Sequence, residues 1–278
     1  MPVSRPVRRA WLWAGSAVAA ALLGWGTVEA VSEIAYERET IVDVDTQPGL
    51  AAIEVRNGHG SIEVTGTSRA AATVEARLTH GLRGPEHGLR REGDRLVVWG
   101  DCPVVLAGRC GISFRIEAPS GVAVLARSEH GDVVLRDLRG DVDAATEHGD
   151  VEASGIRGAL RLHTDHGDAT GTGLSSRELE ARSEHGDVHL ELEAPPRAVR
   201  VLSEHGSVEV LLPATRHAYR VEASSDHGTA RTPVRTDPFS ERSVAARSEH
   251  GDVSVRYRSV GAPTPPRPPP APPAGRSP

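Results

Sequence analysis

The chain has 278 residues, with 29 glycines and 20 prolines but only 3% aromatic residues. So few rings disfavour a thick layered domain with a deep pocket, and favour thin stacked units lined by small aliphatic side chains. The net charge of −6, with no basic run after Arg9, argues against a nucleic-acid partner.

Residues 1–30 have the pattern of a segment that directs the chain to a membrane. Three arginines precede an uncharged stretch from Ala10 to Val28. A helix of this length just spans about 30 Å of hydrocarbon, and the arginines predict that everything after it is exported. The stretch is longer than the usual h-region of about 7 to 15 residues, so the sequence favours a retained anchor. A signal peptide cleaved near Ala30 is the alternative.

Residues 31–120 contain short runs of alternating apolar and polar residues separated by Gly, Pro and Asn, such as Ile41–Val44 and Ala52–Val55. This alternation is typical of strands with one buried face. Asn57–Gly60 looks like an early copy of a corner that recurs later in the chain. We predict that the segment starts a repeat structure and caps its open end.

Cys102 and Cys110 are the only cysteines. Outside the membrane, two thiols this close in sequence most often form a disulfide. The chain-entropy estimate for so small a ring is about 2 to 3 kcal/mol of stabilisation. A catalytic or metal-binding pair is the alternative, although the CxxC spacing is absent.

Residues 121–258 carry a repeat, because a glycine recurs every nine residues from Gly131 to Gly167. Fixed spacing of this kind indicates a repeat architecture. We predict that the glycine at each boundary, Gly140 and Gly158 included, supplies the positive φ of a tight corner. Two nine-residue units would form one coil with a corner at each end. The predicted columns of stacked side chains contain Val133, Val151 and Val188, and Leu135, Ala153 and Leu190.

One corner of each coil is constant, since a glycine there follows a histidine. The spacing of these glycines grows from 18 residues between Gly131 and Gly149 to 23 between Gly228 and Gly251. The corner glycines are Gly131, Gly149, Gly167, Gly186, Gly206, Gly228 and Gly251. The opposite corner gains proline-containing loops. The predicted fold is all-β: a single-stranded, β-helix-like β-solenoid with coils of 18–23 residues, preceded by an N-terminal transmembrane helix.

Eight histidines precede corner glycines, and stacking would place their imidazoles in one column at about 4.7 to 4.9 Å spacing. The favoured interpretation is structural, with the following Asp capping the next turn through its own backbone. A second hypothesis is a divalent transition-metal site. Its candidate ligands are His130, His148, His166, His185, His205 and His250. A third is pH sensing, because protonated neighbours would repel.

Residues 259–278 form a Pro-rich tail that we expect to be disordered, either as a solvated end or as a spacer or partner ligand. The chain shows no Ser-His-Asp, GxSxG or phosphate-loop spacing, and its carboxylates follow the repeat. We therefore predict no enzymatic activity and no cofactor.

The sequence shares Gly60–Val64, Phe114–Gly121 and repeated Gly-Asp-Val corners with a known family. The corners begin at Gly131, Gly149, Gly186 and Gly251. In these features, over about residues 40 to 257, the chain resembles the bacterial putative-adhesin family of unknown function, whose members are exported β-solenoids. The resemblance implies the fold and defines no catalytic residues.

We therefore expect a single-pass protein of the bacterial cell membrane with its C-terminal domain extracytoplasmic. Its predicted role is to bind or scaffold an envelope protein or glycan. The loops at Pro195–Arg197, Pro213–Ala218 and Thr232–Glu241 are the predicted contact surface, because insertions in repeat proteins map to one face. The alternative is a metal- or pH-responsive sensor that uses the histidine row.

Overall fold

The computed structural model describes residues 37–45, 49–81, 83–103 and 110–258, and all regular elements in these ranges are β-strands. Within them, no helix has the length and apolar character needed to cross a bilayer. The predicted membrane segment, residues 1–30, and the predicted tail, residues 259–278, lie outside the described residues. The all-β part of the prediction is confirmed.

Twenty-one strands are present in the described ranges, and they alternate between two sheets through the regular part of the chain. They are β1 (Glu37–Asp45), β2 (Ala52–His59), β3 (Ile62–Thr67), β4 (Ala72–His80), β5 (Glu86–Glu92), β6 (Arg95–Asp101), β7 (Gly111–Pro119), β8 (Ala123–His130), β9 (Val133–Arg136), β10 (Val142–His148), β11 (Val151–Ser154), β12 (Leu160–His166), β13 (Ala169–Leu174), β14 (Glu178–His185), β15 (Val188–Leu192), β16 (Ala198–His205), β17 (Val208–Leu212), β18 (Arg220–Ser225), β19 (Ala230–Arg231), β20 (Ser243–His250) and β21 (Val253–Tyr257).

Each regular coil contributes one strand to each sheet, and equivalent strands of neighbouring coils pair in parallel. Val142 of β10 is in register with Val124 of β8 on one side and Leu160 of β12 on the other. In the second sheet, Val133 pairs with Val151. Because this register repeats, alternate side chains from both sheets enter one continuous aliphatic core. This stacking is that of a β-solenoid.

The predicted columns are confirmed, with one additional small residue in each. The first runs Val133, Val151, Ala169, Val188, and the second runs Leu135, Ala153, Gly171, Leu190. All members of the first column are at most 1% exposed. Small residues in the third coil leave room for Leu174, whose Cδ1 lies 2.7 Å from where a Cβ on Gly171 would be.

The coils at both ends depart from sequence order, which corrects the expectation that consecutive turns stack on one another. At the N-terminal end, β2 lies between β6 and β8, so the coil of β6 and β7 is placed outside an earlier one. At the C-terminal end, β20 lies between β16 and β18. The inner coil there has Val253 and Val255 buried, whereas the outer strand β19 is only Ala230–Arg231 and is exposed. The coil with the stronger apolar row therefore takes the interior position.

Antiparallel strands close the N-terminal end of both sheets. β4 and β1 continue the sheet beyond β7, and β5 pairs with β6 in the other sheet. Cys102 and Cys110 form a disulfide between the ends of β6 and β7, with their Cα atoms 5.9 Å apart.

Candidate functional site

Seven of the eight His-Gly corners are held together by a hydroxyl at the second position before the histidine. Ser183 Oγ donates a hydrogen bond of 2.9 Å to the carbonyl oxygen of Gly167 in the adjacent coil, and Thr164 does the same to Gly149. Both side chains are fully buried. The other hydroxyls of this ladder are Ser128, Thr146, Ser203, Ser225 and Ser248. Each bond satisfies a carbonyl at the point where the chain turns away from the sheet.

The glycines at these corners are required for two different reasons. Gly149 has φ 143°, and Gly167 has φ 149°, a region that favours glycine. The prediction of positive φ is wrong at Gly140 and Gly158, which do not adopt it. There, a Cβ would lie 2.1 Å from a carbonyl oxygen of the neighbouring coil. Close backbone stacking, rather than backbone conformation, therefore requires glycine at the opposite corner.

Where an aspartate follows the corner glycine, it bonds to the next coil rather than to its own turn, which corrects the predicted capping role. Asp132 Oδ1 accepts the backbone N–H of Asp150 at 3.0 Å, and Asp150 Oδ1 accepts that of Asp168 at 2.8 Å. At the C-terminal end, both the N–H and the hydroxyl of Thr229 donate to Asp252 Oδ1. These bonds hold the pKa of the Asp252 carboxyl below its ordinary value.

The histidines form a continuous stack of imidazole rings. Neighbouring ring centroids are 4.6 to 4.9 Å apart, and the ring planes are 1° to 11° from parallel. The order along the stack is His59, His130, His148, His166, His185, His205, His250 and His227. The separation matches the strand spacing, so the stack follows directly from coil register. All rings except that of His59 are exposed.

This stacked geometry does not assemble a metal site from neighbouring imidazoles. A metal bound by a ring nitrogen lies near the plane of that ring, and the planes of parallel, stacked rings do not meet. Within the described residues, no group of three or more His, Cys, Asp or Glu side chains is arranged to hold a metal ion.

One carboxylate outside the corners has a strongly organised environment. Glu54 on β2 is 5% exposed and contacts the guanidinium groups of Arg56 and Arg95, the latter at 2.9 Å. Burial would raise the pKa of Glu54, but the hydrogen bonds and charges of the two arginines outweigh it and lower the pKa. The carboxylate is therefore ionised and contributes to pairing of β2 with β6.

The opposite side of the solenoid carries the lengthening loops, and we call the loops 195–197, 213–218 and 232–241 the long-loop edge. The last of these loops is fastened to the others. Ser240 Oγ donates to the carbonyl of Ala218 at 2.8 Å, and the Arg235 N–H donates to the Tyr257 hydroxyl at 3.0 Å. Tyr219 is fully buried beneath, and this burial raises the pKa of its phenol. The long-loop edge is therefore an ordered surface.

Two features were not predicted from the sequence, one at the His-Gly corners and one at the long-loop edge. The hydroxyl ladder was visible as Ser or Thr two positions before seven of the eight histidines. The long-loop edge also carries arginines at equivalent positions of neighbouring coils, Arg177 and Arg197. Their sequence spacing differs from that of the regular repeat, so periodicity alone does not reveal them.

The profile of the Toastrack DUF4097 family matches residues 25–260. No curated protein matches the chain. A solved structure of a putative adhesin from Bacteroides fragilis is similar, with 14% identity, a TM-score of 0.42, and 79% of this chain and 97% of that chain covered. A putative cell adhesion protein from Clostridium sporogenes has 10% identity and a TM-score of 0.39, covering 80% of this chain and 100% of that chain. For a putative lipid binding protein from Parabacteroides distasonis, the identity is 10%, the TM-score 0.37, and the coverage 81% and 97%.

Proposed function

Because the chain belongs to the Toastrack DUF4097 family and forms a solenoid with one specialised edge, we propose that it is a non-enzymatic, adhesin-like binding or scaffolding module of the bacterial envelope. The observation that carries this proposal is the contrast between the two edges. Hydroxyls and aspartates of the His-Gly corners bond to neighbouring coils, whereas the long-loop edge presents Phe239 with 92% of its surface exposed. Such an exposed aromatic residue on an ordered loop favours contact with a partner.

A photo-crosslinking experiment in cells tests this surface. Benzoylphenylalanine replaces Phe239 in the full chain, and the matched control places it at Arg161, an exposed position on β12 outside these loops. We expect a crosslinked envelope component from position 239 and none from position 161. Equal products from both positions, or no product from position 239, would contradict a binding role for the long-loop edge.

We further propose that the N-terminal segment, residues 1–30, is a retained anchor that leaves the solenoid on the extracytoplasmic side. The uncharged stretch and the preceding arginines support this orientation. The full-length chain should stay in the membrane pellet after alkaline carbonate extraction. A soluble product that begins near Val31 would instead establish cleavage.

The second candidate function is a pH response, favoured by the stack of eight imidazoles. Two like charges at 4.8 Å repel by about 1 kcal/mol even in water, so protonation of neighbouring rings should loosen the stack. The carboxylates that precede the histidines offset part of this repulsion. They are Glu129, Glu147, Asp165, Glu184, Glu204, Asp226 and Glu249. A metal response would additionally require rings to rotate out of the stack.

Replacing the row histidines by Asn separates the two functions. If the solenoid is a scaffold, the variant keeps its fold, and its melting temperature depends on pH as that of the parent chain does. If it is a sensor, the parent chain loses stability as the histidines become protonated on acidification, and the variant does not.

A further inference from the structure

Three arginines occupy equivalent positions in three neighbouring coils at the long-loop edge. Arg177, Arg197 and Arg242 each stand immediately before the first residue of a strand. Those first residues, Glu178, Ala198 and Ser243, are register partners across β14, β16 and β20. With strands about 4.7 to 4.9 Å apart, the Cα atoms of the three arginines lie in one short column along the stack of coils.

The column lines a cavity of about 810 Å³ between the loops. The charged residues around it are Arg177, Arg197, Arg216, Asp237, Glu241 and Arg242. Four guanidinium groups thus stand against two carboxylates. The cavity therefore carries an excess of positive charge on a chain whose net charge is −6.

These arginines differ from those on the strand faces in lacking carboxylate partners. Arg127 pairs with Asp143 at 2.7 Å, as is common along the solenoid. By contrast, the side chains of Arg177, Arg197 and Arg216 form no hydrogen bond or ion pair with any residue that the structure describes. Like charges that outnumber their counterions repel one another, and an anion placed among them would relieve that repulsion.

The fourth arginine is fixed in place by the loops. Arg242 Nη1 donates hydrogen bonds to the carbonyl oxygens of Pro195 and Pro196, at 3.2 and 2.8 Å. Its guanidinium is therefore held at the wall of the cavity, where it adds to the positive charge. Arginine forks match the geometry of phosphate oxygens in particular.

An exposed aromatic side chain stands beside this cavity. Phe239 is 92% exposed and lies between Asp237 and Ser240, both of which line the cavity. A ring that can enter the interfacial layer beside cations that can hold phosphate is a combination suited to an anionic lipid.

We propose that this cavity binds a phosphate ester, and that the phosphate comes from an anionic lipid headgroup whose glycerol and acyl region contacts Phe239. The inference rests on the proposed binding role of the long-loop edge and names the chemistry of its ligand. No covalent step is involved.

The test uses ³¹P NMR titration of the full chain in a neutral detergent. The probes are glycerol 3-phosphate and dihexanoyl-phosphatidylglycerol, and dihexanoylglycerol in calorimetry measures partition without a phosphate. The paired variant R177Q/R197Q should weaken binding of both phosphate probes by about tenfold or more. The matched control R139Q/R157Q changes two exposed arginines in earlier turns of the same side, outside the cavity, and should leave affinity unchanged. Phe239→Ser should weaken only the lipid probe.

The outcomes are distinct. If neither phosphate probe binds, or if the control pair weakens binding as much as R177Q/R197Q, the phosphate site is overturned. If glycerol 3-phosphate binds but the lipid probe gains nothing from Phe239, the lipid source is overturned. Should R177Q/R197Q fold poorly, R177K/R197K is measured against the parent chain; because it keeps the charge but loses the guanidinium fork, affinity for both phosphate probes should fall by less than about tenfold, and an unchanged affinity would overturn the arginine site. Crosslinking from position 239 without phosphate binding would leave the broader binding role standing and refute only this ligand.

Discussion

The hydroxyl ladder predicts that a single buried oxygen at a corner carries measurable stability. Ser183 is fully buried, and its Oγ lies 2.9 Å from the carbonyl oxygen of Gly167. Ser183→Ala removes the donor and leaves that carbonyl without its hydroxyl partner, which should cost about 1 to 3 kcal/mol. For a domain of this size, a loss of about 2 kcal/mol lowers the melting temperature by roughly 4 to 8 °C.

The matched control is Ser183→Thr, because Thr146 and Thr164 already occupy this position in two other coils with the same 2.9 Å bond. Threonine should keep stability within about 0.5 kcal/mol of the parent chain, since the hydrogen bond is retained. Thermal unfolding followed by circular dichroism measures both variants. If Ala is as stable as Ser, the ladder contributes nothing; if Thr is as harmful as Ala, packing at the corner dominates instead.

Three further changes test other parts of the structure. Gly149→Ala should lower the free energy of unfolding in urea by more than about 2 kcal/mol, because φ is 143° and the added Cβ meets backbone atoms at 2.7 Å. The control Gly93→Ala, where φ is 65° and no atom lies near the added Cβ, should cost less. Equal losses would contradict the stacking argument. The pKa of Glu54 is lowered in the folded chain, so its stabilisation is complete above the unfolded value near 4.5 and is lost as pH falls through the folded pKa. Arg95→Gln should therefore destabilise at pH 7, with the difference from the parent chain shrinking below about pH 4 in acid unfolding; a constant difference at every pH would refute this. Removing the Cys102–Cys110 bond should cost about 2 to 3 kcal/mol, and a chain that melts unchanged in reductant would show that the ring contributes little.

The regular coils could be predicted because their determinants are local and periodic. Glycines at fixed spacing and alternating Val, Leu and Ala set both the corner and the buried face, and Val133 and Val151 pair as expected. Coil order at the two ends could not be predicted in this way. Every coil presents the same parallel edge, so local pattern does not state whether β16 pairs with β18 or with β20. That choice depends on which coil buries more apolar surface.

The histidine stack was likewise predictable, since register alone brings equivalent side chains together. The hydroxyl ladder was not predicted, although Ser183 and its equivalents lie at a constant position, two residues before the histidine. The arginine cavity depends on loops of unequal length, and Arg197 and Arg242 are neighbours in space although another coil separates them in sequence. A periodic sequence pattern does not predict such a contact, because the intervening coil lies at the outer end of the stack.

The interchange of the last two coils has a consequence for how the protein is made. Residues 220–231 leave the ribosome before residues 243–257, at a time when the free edges of β16 and β17 are open to either segment. In the finished molecule those edges belong to the later segment, β20 and β21. The earlier strands, β18 and β19, must therefore stay unpaired or be displaced from these edges by β20 and β21. The two segments therefore compete for the same sheet edges, and a chain truncated after residue 242 should pair β18 with β16.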